Sequence, residues 1–91
     1  MARVAFRAGR PQRLLADSPE ERALLAFSRR NGGHLVLSEA LYPVRGDALV
    51  LPDTVSPAAA IALGAAFAEA AQRHRGAQQR RDEFRLVRGR E

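Results

Sequence analysis

Cysteine, lysine and tryptophan are all absent from this 91-residue chain, and aromatic residues make up only 5% of it. Without cysteine there are no disulfides and no thiolate metal sites, an economy that fits a reducing compartment. No apolar run approaches the length of a membrane span, and no apolar core follows the basic start, so the sequence reads as cytoplasmic. The aromatic set is four Phe and one Tyr, and all four Phe suit core positions. Sheet-borne RNA-binding modules stack bases on exposed aromatic rings, and this chain has few to spare. There is no internal repeat and no linker long enough to divide the chain, so residues 1–91 are expected to form one small domain. A chain of this length buries only roughly 60–65% of its unfolded surface, which leaves a thin margin of stability that oligomerisation would widen.

What the chain has instead is arginine. All fifteen basic residues are Arg, and the net charge is +5. Arg3, Arg7, Arg10 and Arg13 open the chain without an acid among them, and residues 73–91 hold seven Arg against Asp82, Glu83 and Glu91. Between them, residues 14–72 carry four Arg against seven acids. Arg-for-Lys replacement with abundant Ala is also the coding signature of a GC-rich genome, so the clustering carries more information than the residue type. A planar five-donor guanidinium suits phosphates and carboxylates, and two basic ends around an acidic middle point to an anionic partner.

The run from Ala2 to Ala8 alternates apolar residues with Arg3 and Arg7, which predicts a half-buried strand ended by Gly9 and Pro11. Ser18-Pro19-Glu20-Glu21 is a helix start with a capping serine, proline at the first helical position and a capping-box glutamate. Asn31-Gly32-Gly33 is its stop. A strand over residues 34–38 is expected to continue from Leu41 to Val44 past an irregularity near Glu39, and Pro43, which has no N–H, assigns it to a sheet edge. Arg45-Gly46-Asp47 turns into a further strand, residues 48–51; the tripeptide is read as a hairpin turn rather than a recognition motif. Ser56-Pro57 begins a second helix to about His74, and Gly76 is expected to weaken or end it. Residues 83–88 alternate Phe84, Arg85 and Leu86 as a last strand would, although a helical or flexible arginine-rich tail over 76–91 fits the same residues.

The resulting order, βαββαβ, is the ferredoxin-like α+β two-layer sandwich. It sets the first and last strands side by side with both helices on one face, so Arg3, Arg7 and Arg85 are expected on the open face as an anion-binding surface. A winged-helix-like α/β domain with a long Ala-rich C-terminal helix is the competing architecture, using a short second helix around residues 37–41; the long helix is poorly charged for a DNA groove.

The expected function is that of a nucleic-acid-binding accessory or regulatory protein, DNA or RNA, of weak sequence specificity. Its phosphate contacts come from Arg3, Arg7, Arg10, Arg73, Arg75, Arg80, Arg81, Arg85 and Arg88. The alternative is an interaction module for an acidic protein surface, since Arg is enriched at protein interfaces too. The apolar arc of the second helix is wider than one core needs, and Ala60, Gly64 and Ala68 form a small-residue row. With Ile61 and Phe67 they compose a candidate homodimer interface, in competition with close packing on the domain's own sheet. Enzymatic signals are thin. Asp47 and Asp53 bound a strand without a histidine at ligand spacing, Ser18 and Ser56 read as caps, and Ser38 lacks a nucleophile's turn. A metal-free ribonuclease built on Arg and His34 is the one catalytic option weighed, and no catalytic residue, metal or cofactor is expected.

Overall fold

The computed structural model describes the chain from Ala2 to Gly89, with side chains as far as Ala77. Its elements are β1 (Arg3–Arg7), β2 (Arg10–Leu15), α1 (Pro19–Arg30), β3 (His34–Leu37), β4 (Ala40–Arg45), β5 (Ala48–Val50) and α2 (Pro57–Gly89). The five strands form one antiparallel sheet in the order β1-β2-β5-β4-β3. Both helices lie against the sheet and against each other, which makes an α+β architecture of two layers.

The element order is ββαβββα and not the ferredoxin-like βαββαβ. Three segments account for the difference. Residues 10–15 form a strand that the sequence hides, the strand expected to run from residue 34 to Val44 past an irregularity is instead an antiparallel hairpin of β3 and β4, and residues 83–88, expected as the last strand, continue α2. Gly76 does not end that helix, because a glycine in a helix interior costs only about 1 kcal/mol. Of the winged-helix-like alternative, the long Ala-rich C-terminal helix is present as α2, but the short second helix is not. Residues 37–41 instead run from β3 through a turn into β4.

Ala8 and Gly9 join β1 to β2 with φ of 53° and 76°, the two positive values that a tight I′-type hairpin turn requires. Ser38 and Glu39 join β3 to β4 in the same way, at φ 49° and 68°, without any glycine. At Gly46 and Asp47 only the first residue is positive, at φ 59°, which is the II′ pattern.

The expected start of α1 is present, with the reciprocal glutamate bond shifted by one residue. The Ser18 hydroxyl accepts from the Glu21 N–H at 3.1 Å, and the Glu21 carboxylate Oε1 accepts from the Asp17 N–H at 2.8 Å, one residue earlier than in the usual capping box. Ser56 caps α2 by accepting from the Ala59 N–H at 3.1 Å.

Pro43 does not lie on an edge strand, since β4 sits between β3 and β5. The ladder from β4 to β5 holds only Val44–Leu49 and Arg45–Ala48, after which β5 pairs onward with β2. Val44 donates toward Gly33 on the β3 side, so the neighbouring Pro43 nitrogen faces the side where β5 has already diverged, and no ladder bond is lost.

Leu14, Leu25, Leu49, Ala60 and Phe67 are fully buried and anchor a core completed by Leu24, Leu37, Tyr42, Val44, Leu51, Leu63 and Ala71. On β2 and β4 the buried Leu14, Tyr42 and Val44 have less buried neighbours on either side, and the helices cover the face they point to; on the other face the small Ala48 of β5 is the one buried strand residue.

Candidate anion-binding face of the sheet

Cross-strand register decides which side chains share the open face. The row Val4–Leu14–Leu49–Val44 faces the helices, and the adjacent row Arg3–Leu15–Ala48–Arg45 therefore faces away from them. Alternation along β1 puts Arg7 on the same side as Arg3. On β2 the register shift leaves Gln12 as an extra residue between Pro11 and Arg13. This bulge returns Pro11 to the core side and sets Arg10 opposite Arg7, while Arg13, opposite Ala5, stays on the open face.

Five guanidinium groups, those of Arg3, Arg7, Arg10, Arg13 and Arg45, thus project from one face, and no strand position on that face is acidic. Arg7 and Arg10 are a directly opposed like-charge pair, which is destabilising across a sheet unless an anion lies between them. Among the described residues, only Arg3 of the five has an ion-pair partner, Asp17 at 3.8 Å, and both of those side chains are largely in water. The far end of the same face is apolar and open. Val36 and Leu41 are opposed across β3 and β4, at 58% and 66% exposure.

The sequence-derived site is therefore divided. Arg3 and Arg7 share the open face as their alternation predicts, Arg10 comes to stand beside them through the bulge, and Arg13 and Arg45 join them. These two were missed because residues 10–15 carry no clean alternation and Arg45 was read only as a turn residue. Arg73 and Arg75 stand on α2, in the other layer, where Arg73 pairs with Glu69 at 3.3 Å and Arg75 pairs with Glu20 on α1. The side chains of Arg80, Arg81, Arg85 and Arg88 lie outside the described residues, and no strand carries Arg85 onto the open face beside Arg3 and Arg7.

The candidate dimer seam is largely occupied from within. Ala60 and Phe67 are fully buried in the domain's own core, and a Cβ placed on Gly64 would lie 3.6 Å from the Ala2 carbonyl oxygen and 3.8 Å from a Leu14 methyl. Gly64 thus packs against the domain's own sheet, at a spacing that an alanine would also fit. Of the five seam residues, Ile61 is exposed and Ala68 half-buried. Phe6, expected in the core, is 54% exposed at the sheet edge.

His34 lies on β3, at the opposite edge of the sheet from Arg7 and Arg10, and its Nδ1 is 3.1 Å from the Gly32 carbonyl oxygen. His74 packs against Phe27 with ring centres 4.9 Å apart. Asp47 sits 3.8 Å from Arg29, which also donates to the Gly46 carbonyl and so ties α1 to the β4–β5 turn. No group of three potential metal ligands occurs among the described residues, and none of their helices is long and apolar enough to cross a membrane.

Comparison with family models, with curated proteins and with solved structures gives no match to this chain, so the face is interpreted from its own chemistry.

Proposed function

We propose that this protein is a nucleic-acid-binding accessory factor that docks the phosphate backbone on the open face of its sheet. The observation that carries this reading is the gathering of Arg3, Arg7, Arg10, Arg13 and Arg45 on a surface whose strands offer no carboxylate. Each guanidinium can fork onto a phosphate, and the β1–β2 half of the face spaces them as a stripe. From Arg3 to Arg7 the strand covers roughly 14 Å at about 3.4 Å per residue, a length over which one strand of a duplex presents about four phosphates.

The strands present no Phe, Tyr or Trp on this face, and His34, its one aromatic ring, stands at the opposite edge from Arg7 and Arg10, so the arginine stripe has no aromatic platform for bases. Binding is accordingly directed at the backbone and is weak in sequence preference. Arg73 and Arg75 stand on the helical layer, away from the sheet face, and contribute less than the sheet arginines.

The test is fluorescence anisotropy with a labelled oligonucleotide at about 50 mM salt. Substituting Arg7, Arg10 and Arg13 together with Gln should weaken binding strongly, whereas Arg73→Gln with Arg75→Gln should leave most of it. Equal losses from the two variants would detach the activity from the sheet face. Binding to polyglutamate as tight as to oligonucleotide would move the reading to an acidic protein partner.

A further inference from the structure

At the β1–β2 hairpin lies a cavity of about 210 Å3, lined by Arg7 and Arg10 of the arginine stripe together with Ala8, Pro11, Gln12 and Asp53. Asp53 arrives from the segment after β5, which is tied to β2 by the Leu51 N–H donating to the Gln12 carbonyl at 2.9 Å. Among the described residues, the Asp53 carboxylate forms no ion pair with Arg7 or Arg10, although it lines the same cavity.

For a ligand that is phosphate alone, such a carboxylate is a handicap, because it repels the anion the two arginines attract. For a ligand with a hydroxyl group beside its phosphate it is an asset, because an ionised carboxylate is an acceptor and needs a donor. The cavity is also smaller than the roughly 300–1,000 Å3 of sites that enclose a whole drug-sized ligand, so it suits one sugar-phosphate unit with the base left outside.

Resting on the nucleic-acid reading above, we propose that this cavity is a ribose-phosphate subsite. Arg7 and Arg10 hold the phosphate across the hairpin, and Asp53 accepts a hydrogen bond from the ribose 2′-hydroxyl. The 2′-hydroxyl is the group by which a protein separates RNA from DNA, so the subsite makes the face selective for RNA without reading any base.

The experiment compares single-stranded RNA and DNA of one sequence, at one salt concentration, on the wild-type chain and on Asp53→Ala, with circular dichroism showing that both fold alike. The wild type should bind the RNA at least about tenfold more tightly than the DNA, the lower end of the scale of one hydrogen bond to a charged group. In Asp53→Ala the preference should vanish from both sides: RNA binds less tightly, and DNA more tightly because a negative charge has left the site. Equal affinities in the wild type, or an RNA preference that survives Asp53→Ala, would overturn the subsite while leaving phosphate docking intact. Failure of both polymers to bind the wild type would overturn the docking reading and the subsite together.

Discussion

Substituting Arg7, Arg10 and Arg13 together with Gln removes three of five cations from the open face while keeping side-chain length and polarity. The effect on salt dependence can be worked from the count. Each phosphate neutralised on a single strand contributes about 0.7 to the slope of log K against log salt, so five contacts give a slope near −3.5 and two give about −1.4. Raising salt from about 50 to about 200 mM should then weaken the wild type by roughly 130-fold and the triple variant by only about 7-fold. Arg3 counts among the five despite Asp17, because an exposed pair at 3.8 Å is worth at most about 1 kcal/mol and yields readily to a phosphate. Anisotropy titrations across that salt range measure both slopes. A triple variant with the wild-type slope would refute the assignment of phosphate contacts to these residues, even if its affinity had dropped.

Other outcomes follow from the packing. Gly64→Ala should stabilise the chain by up to about 1 kcal/mol in chemical denaturation, because a methyl fits at 3.6–3.8 Å from its neighbours and the helix gains propensity. Gly64→Leu should cost about 1–3 kcal/mol by overpacking against β1 and β2, with no change in oligomeric state by light scattering; a clean monomer released from a dimer would instead restore the seam. Phe67→Ala should cost about 3–5 kcal/mol and bring so small a domain close to unfolding, as a thermal melt would reveal. Glu21→Gln should be at least as stable as the wild type, since Gln keeps the acceptor for Asp17 and removes a charge whose second oxygen, Oε2, is buried without a partner. Glu21→Ala should lose about 1–2 kcal/mol with the cap, and a Gln variant as unstable as the Ala variant would contradict this account.

The helices and the first strand were legible because their signals are local. Ser18, Pro19 and Glu21 act within a single turn, and Ala2 to Arg7 alternate without interruption. Strand β2 was hidden for a specific reason: the extra residue Gln12 breaks the period of two, and Pro11 reads as a stop when it is in fact buried. The β3–β4 turn escaped notice because Ser38 and Glu39 adopt positive φ without glycine, leaving only an irregularity to see. Phe84, Arg85 and Leu86 alternate like a strand, yet Phe84 and Val87 equally fit the i, i+3 spacing of a helix, and the segment continues the helix begun at Pro57.

Composition and short-range pattern alone established that this is an arginine-only, cysteine-free α+β chain with a capped first helix and a basic, alternating first strand. Which arginines meet was a matter of register. A one-residue bulge decides that Arg10 stands opposite Arg7, and pairing through β5 decides that Arg45 shares a face with Arg3, while Arg73 and Arg75, though part of an equally basic segment, fall in the other layer against their own carboxylates. The physical reason is that charge along a chain is a one-dimensional quantity, whereas an anion senses its distribution over a surface, and only strand pairing converts the first into the second.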